Sequence, residues 1–319
     1  MPKMSSEPVR HALHGPTMGT SWQATCYADH GIDPLALRAA LQAAVDEVDD
    51  QMSTWQSTSA LMRLNAAPVD DWQLVPAHLF TVLHLALDIG QASDGAFDIG
   101  VGDAVGAWGF GPNPADAERI RAALRAGRRP AHEVLELDIE HLRARKHAPV
   151  TLDLNGIAKG YGVDRLTEVL REHGVTASLA GIDGEMRAAG VRPDGQPWTI
   201  AVEAPDADCR AVHSILTLED AAVATSGDYR HWVEVQGRRL SHTMHPARGA
   251  PLTSPPASVS VVAPSCAEAD AWATALMVLG ETEGLRLARQ RGLDVLFLFR
   301  SGGKARAVSA GAIFETPAA

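Results

Sequence analysis

Apolar positions along this chain recur with two spacings, and the changes from one to the other mark out its elements. Leu37, Leu41, Val45, Val48 and Met52 fall at three- and four-residue intervals, the signature of one buried helix face. Asp33-Pro34 starts that helix, with an N-cap carboxylate followed by proline at the first helical position. The same spacing predicts a helix over residues 76–93, with Leu79, Val82, Leu83, Ala86 and Ile89 inward. In the helix that follows Gly156, Val163, Leu166, Val169 and Leu170 form the buried stripe, leaving Asp164, Arg165, Glu168 and Arg171 on the wet face. Helical patterns return over 267–279 and 282–291, and Asn113-Pro114 predicts one more, running to Ala126.

Elsewhere the period is two. Strands are expected over residues 20–27, after Met18-Gly19, and over 141–146 and 150–154, paired as a hairpin around His147-Ala148-Pro149. In the second of these, Leu152 and Leu154 point one way and Thr151 and Asp153 the other, so Asp153 arrives on the polar side. Eight further strands are expected over 177–180, 185–189, 199–203, 214–218, 222–225, 232–235, 258–262 and 294–299. Strands that follow one another directly favour antiparallel sheets with helices packed on a face, an α+β fold. With no repeat or linker in sight, residues 13–319 read as one domain after a disordered leader, residues 1–12.

Composition narrows the partners. The net charge of −11 disfavours nucleic acid, whose phosphates call for a basic face. Cys26, Cys209 and Cys266 are too few and too far apart for a disulfide framework or a zinc site, which leaves buried free thiols. No run reaches the ~20 apolar residues of a membrane helix, so no transmembrane segment is expected. The N-terminus lacks the apolar region of an export signal, so the encoded start predicts a cytoplasmic protein; an upstream start with an apolar leader would make it periplasmic.

Five stretches are candidates for chemistry. Residues 151–171 run through a glycine turn into a helix, with Asp153 and Lys159 on either side of the turn. A helix N-terminus with a lysine in its first turn suits a phosphate. Asp270 and Thr274, four apart on a helix, stack a carboxylate over a hydroxyl, hard oxygen donors of the kind Mg²⁺ prefers; alternatively they are a dipole partner and a back-bonded hydroxyl. His242 and His245 are three apart, and a single imidazole is a better general base than the two are a metal pair. Trp55, in the hydroxyl-rich loop 52–59, is either a partly buried connection beside a capping Ser59 or a ring that stacks on a heteroaromatic ligand. Thr225 to Arg230 reads as a turn or as the polar wall of a pocket. The glycines between Gly95 and Gly111 include no G-x-G-x-x-G, and G-x-S-x-G, H-E-x-x-H and Walker sequences are absent.

Taken together, Met18-Gly19-Thr20, the loop to Ser59, Gly95-Ala96-Phe97-Asp98 with residues 108–112, and residues 153–164, 184–190, 224–230, 241–249 and 268–276 resemble the ApbE family of FAD:protein FMN transferases, in the family's order. The resemblance implies a bilobed fold and a Mg²⁺-dependent reaction. In it, a Ser or Thr hydroxyl of an acceptor flavoprotein attacks the FMN-side phosphorus of FAD and AMP leaves. Carried over by position, Met18, Trp55, Ala96, Phe97, Asp98, Asp153, Lys159 and Met244 would line the FAD site, and Gly156, through its carbonyl, with Asp270 and Thr274 would hold Mg²⁺. His242 is the expected catalytic base. Trp55 stands where a Tyr is usual, Ala273 replaces a carboxylate found in many members, and His245 stands where an Asp is usual. Two other functions stay open: a Mg²⁺-dependent FAD pyrophosphatase and a non-catalytic FAD-binding protein.

Overall fold

A computed structural model describes residues 7–205, 211–228, 232–235, 238–301 and 304–314. The chain opens on a hairpin, β1 (Val9–Thr17) and β2 (Thr20–Ala28), and turns helical with α1 (Pro34–Met52) and α2 (Ala60–Ala66). After a short strand, β3 (Gln73–Leu74), come α3 (Ala77–Ala92), α4 (Gly102–Ala107), α5 (Ala117–Arg125) and α6 (Ala131–Val134). A hairpin of β4 (Leu135–Asp138) and β5 (Arg143–Lys146) leads to α7 (Ala158–Glu172). The strands β6 (Ala177–Ile182), β7 (Glu185–Ala189), β8 (Trp198–Glu203), β9 (Val212–Leu218) and β10 (Ala222–Gly227) follow. Next are β11 (Trp232–Val235), β12 (Arg238–Ser241), β13 (Met244–His245), β14 (Ala250–Pro251) and β15 (Ser258–Ala263). Helix α8 (Cys266–Arg291) and the hairpin β16 (Asp294–Ser301) and β17 (Lys304–Ala310) close the chain.

Eight strands pair antiparallel in the order β1-β2-β6-β7-β10-β15-β16-β17. One face carries α1, α7 and α8; the other, over β7, β10, β15 and β16, is covered by the β8–β9 hairpin through Trp198, Val202, Leu216 and Leu218. Being covered on both sides explains why every residue of β15 is buried, Ser258 and Ser260 included: Val259 and Val261 face the helices, Val262 the hairpin. Helices α2, α3 and α6 and the strands β4 and β5 of the small sheet β3-β5-β4 share a core with α8, β15 and β16 in this α+β fold.

The inward faces expected for α1 and α3 hold residue by residue. Asp33 caps α1 by accepting the Leu35 N–H, and all five expected α1 positions are buried. Ser59 caps α2 by accepting the Met62 N–H at 3.0 Å. Two helices were expected in the α8 region, and Gly280 breaks α8 there with φ 71° and ψ −167°. Cys26 and Cys266 are buried free thiols; Cys209, Tyr229, Arg230 and residues 1–6 lie outside the described residues.

Four expectations fail. Residues 9–12 are not a disordered leader but the start of β1, laddered against β2 from Val9↔Ala28 onward. The helix expected from Asn113 begins at Ala117, because Asp116 is the residue whose carboxylate accepts a first-turn amide, that of Arg119, at 2.7 Å. The 141–146/150–154 hairpin does not form, and β5 pairs with β4 and β3 instead. Residues 151–154 form no strand: Thr151 and Asp153 bond to the backbone of Gly102 and Ile99, and Asn65 takes up the residue between, its Oδ1 accepting the Leu152 N–H at 2.7 Å and its Nδ2 donating to the Leu152 carbonyl at 2.9 Å. Asp164, expected on the wet face of α7, is buried against the start of α8.

Candidate active site

Where residues 151–160 meet α8, the first candidate group is assembled. Leu152, Leu154 and Ile157 anchor the segment in the core, and α7 starts with no side-chain cap. Gly156 lies against α8: a Cβ there would stand 3.0 Å from Thr274 Oγ1 and 3.3 Å from Phe97 Cε2. Ser226 of β10 shares a hydrogen bond with Thr274 Oγ1 at 3.2 Å. One turn earlier on α8, Asp270 Oδ2 accepts the Gly160 N–H at 3.1 Å. The expected metal trio of Gly156, Asp270 and Thr274 is therefore drawn from segments more than a hundred residues apart and gathered at one helix crossing.

The electrostatics there are unusual. Burial, and then the charge of Glu185, push the Asp270 carboxyl up to about 8. Lys159 Nζ donates to Asp183 Oδ2 at 2.9 Å and lies 3.4 Å from Glu185 Oε1. Burial works against its charge, but Glu185, Asp270 and Asp183 together outweigh this and hold the ammonium above its ordinary value. Three carboxylates thus act on one ammonium, and Glu185 Oε2 is buried with no hydrogen-bond partner among the described residues. Acids crowded until burial and mutual charge hold a proton on Asp270, with a hydroxyl beside a glycine backbone, fit a hard divalent cation such as Mg²⁺, which would take that proton's place. Ala273 is fully buried and adds no donor. Among the described residues, no three His, Cys, Asp or Glu side chains form a metal cluster by themselves, so such a cation would need hydroxyl or backbone oxygens as well.

The expected FAD-lining residues divide into two groups. Near the helix crossing, Phe97 is buried with its amide on Ser93 Oγ at 3.0 Å, and Ala96 beside it is buried too. Met18 sits in the β1–β2 turn at φ 44°, its Cε 3.3 Å from where a Cβ of Gly162 would be. Asp98 and Asp153 hold loops: Asp98 Oδ1 accepts the Gly100 and Ala131 amides at 2.8 and 2.9 Å, and Asp153 Oδ1 accepts the Asn155 amide at 2.9 Å. Burial raises both carboxyls, Asp153 to about 6, so the polar-side expectation for Asp153 gives way to a buried carboxylate.

The second group lies around α4 and α5. Met244 is buried with Ala104, Val105, Ala107 and Ala123, and the half-buried His242 meets the Phe110 ring edge at 6.5 Å between centroids. Trp108 ties this loop down by donating Nε1–H to the Gly249 carbonyl at 3.0 Å. Burial, and then the charge of Arg248, lower His245 below its ordinary value. Trp55 is 66% exposed on the α1–α2 loop, a ring presented to solvent instead of a core filler.

Sequence reasoning did not single out Asp183, Glu185 or the buried role of Asp164, and it reached Ser226 only within the stretch 225–230, without its link to Thr274. Asp183 and Glu185 flank Gly184 in a tight turn where Asp183 has φ 54°, and acids so placed beside a glycine are the signal that could have drawn attention to them.

The sequence profile of the ApbE family matches residues 18–297. The FAD:protein FMN transferase of Vibrio cholerae is 38% identical over 297 residues, covering 91% of this chain and 87% of that protein. That of Klebsiella pneumoniae is 35% identical over 304 residues, 91% of this chain and 84% of its own. Among solved structures, the flavin transferase ApbE from Vibrio cholerae has a TM-score of 0.83 at 33% identity, over 95% of this chain and 97% of that one. The apo form of the Pseudomonas stutzeri flavinyl transferase ApbE has a TM-score of 0.83 at 35% identity, over 96% of each chain. The chain belongs to the ApbE family.

Proposed function

We propose that this protein transfers the FMN moiety of FAD to a Ser or Thr hydroxyl of an acceptor flavoprotein, forming a phosphoester and releasing AMP. The observation that carries the reading is the meeting of Gly156, Asp270 and Thr274 beside Lys159, within a chain similar to proteins named FAD:protein FMN transferase. Asp270, Thr274 and the Gly156 carbonyl are the residues that would hold Mg²⁺, which neutralises charge on a pyrophosphate and on its leaving group. Lys159, already charged and held on Asp183, adds a cation for the same phosphates. Met18, Ala96, Phe97 and Trp55 supply apolar and aromatic surface for the flavin and adenine, and Met244, Asp98 and Asp153 support the walls.

In the transfer, the acceptor oxygen forms a bond to the FMN-side phosphorus as the bond to the bridging oxygen breaks. The hydroxyl proton passes to the imidazole of His242, and the electron pair leaves with AMP. The acceptor protein must present its hydroxyl in an exposed segment to reach such a site.

Incubating the protein with FAD, Mg²⁺ and a Ser/Thr-bearing acceptor peptide tests the proposal. Flavin fluorescence covalently attached to the peptide, with one AMP released per flavin, is the expected result. Free FMN made equally without the peptide would favour a pyrophosphatase, and intact FAD a binding protein. Asp270→Asn should abolish the transfer.

A further inference from the structure

The two halves of the candidate cation site ride on two helices. Gly156 and Lys159 enter α7, Asp270 and Thr274 stand on α8, and the geometry of the site is the geometry of their crossing. Asp164, buried on α7, accepts the Cys266 N–H on Oδ1 at 2.8 Å and the Ala267 N–H on Oδ2 at 2.9 Å. These are the first two amides of α8, groups that no intrahelical carbonyl can satisfy. Arg187 of β7 donates to Asp164 Oδ1 at 2.5 Å and so fixes the carboxylate to the sheet. Helix α8 also has a cap of its own, since Ser265 Oγ accepts the Glu268 N–H and the Glu268 carboxylate returns to the Ser265 N–H. Asp164 is therefore a second cap, supplied by a different helix.

Asp270 returns the contact, its carboxylate accepting the amide of Gly160 in the first turn of α7. Each helix thus seats a carboxylate on the opening turn of the other. Two anchor points along each helix fix slide and rotation together, where one would leave a pivot.

We propose that Asp164 is a positioning residue for the Mg²⁺ site: by pinning the start of α8 to α7 and β7, it sets where Asp270 and Thr274 stand relative to Gly156. The inference rests on the flavin-transfer reading for the identity of the cation. Mg²⁺ tolerates little departure from octahedral geometry, and partners that orient its ligands from outside commonly change metal affinity ~10–100-fold.

The test uses the full-length protein with ADP as a diphosphate that cannot donate flavin and Mn²⁺ as the probe, its uptake read from the loss of the free-ion EPR signal. Asp164→Asn should weaken Mn²⁺ binding about tenfold or more, while Ser265→Ala, which removes the other cap of the same helix end, should leave it within about twofold of wild type, the size of a change in helix-end stability alone. Equal affinity in Asp164→Asn and wild type would overturn the inference, as would an equal weakening in Ser265→Ala, since the effect would then belong to helix-end stability. If Asp164→Asn does not fold, Arg187→Lys carries the test: it loosens the same carboxylate from β7, so weaker Mn²⁺ binding supports the role and unchanged binding overturns it. Wild-type protein that takes up no Mn²⁺ would overturn the flavin-transfer reading together with the inference, an outcome distinct from uptake that survives in Asp164→Asn.

Discussion

Gly160 and Cys266 meet backbone to backbone where α7 crosses α8: a Cβ on Gly160 would stand 2.3 Å from the Cys266 carbonyl oxygen and 2.9 Å from the Ala267 Cα. Both neighbours are main chain and neither can swing aside. Gly160→Ala should force the helices apart and destabilise the protein by about 1–3 kcal/mol, as overpacking of a tight contact does. Because the Gly160 amide is also the donor to Asp270, the variant should lose Mg²⁺-dependent activity even where it remains folded. Chemical denaturation together with an Mg²⁺ titration of transfer checks both.

Lys159 is held by Asp183 and Glu185 before any phosphate arrives. Lys159→Met should weaken FAD binding by about 1.5–3 kcal/mol through loss of a charge-assisted contact. It should also destabilise the protein, because Glu185 and Asp270 lose the ammonium that offsets them. Calorimetry with FAD decides the first point, and an unchanged affinity would remove Lys159 from the phosphate site.

Asp153 offers a pH signature. Burial raises its carboxyl from 3.8 to about 6, so the folded protein holds a proton that the unfolded chain has released between those values. Its favourable contribution is fully present below pH 3.8 and is lost as pH rises through about 6. Asp153→Asn cannot ionise, so its stability relative to wild type should rise across that window, by no more than about 3 kcal/mol. Urea midpoints of the two proteins at pH 4.5 and pH 7.5 should diverge; a difference independent of pH would show that Asp153 is not held protonated.

His242 is assigned the hydroxyl proton. His242→Ala should lower kcat by ~10²–10⁴-fold while leaving FAD affinity near that of wild type, since a general base acts on the acceptor proton and the ring stands at the edge of Phe110. A variant that lost FAD binding in proportion to rate would make His242 a binding group.

Local physics made much of this molecule readable in one dimension. The inward faces of α1 and α3, the Asp33 and Ser59 caps, the break at Gly280 and most strand positions follow from periodicity and capping, which act over a few residues. Asp270 and Thr274 were legible as a pair for the same reason, since a helix fixes the i, i+4 neighbour wherever it lies. Errors arose where a distant group replaced a local partner. Residues 151–154 had the alternation of a strand, yet Asn65 completes the hydrogen bonds of Leu152 from eighty-seven residues away. The wet face assigned to Asp164 assumed solvent where α8 lies.

By itself, then, the sequence determined the elements, the family's motifs in order and the donor types suited to a cation and a pyrophosphate. The tertiary structure alone decided that Gly156 rests against Thr274, that Lys159 is already engaged by Asp183 and Glu185, and that Asp164 and Asp270 lock α7 to α8. The reason is physical: periodicity reports which face of an element is buried, whereas the partner that buries it, and the burial and charge that move a carboxyl's proton affinity, come from residues brought close only by folding.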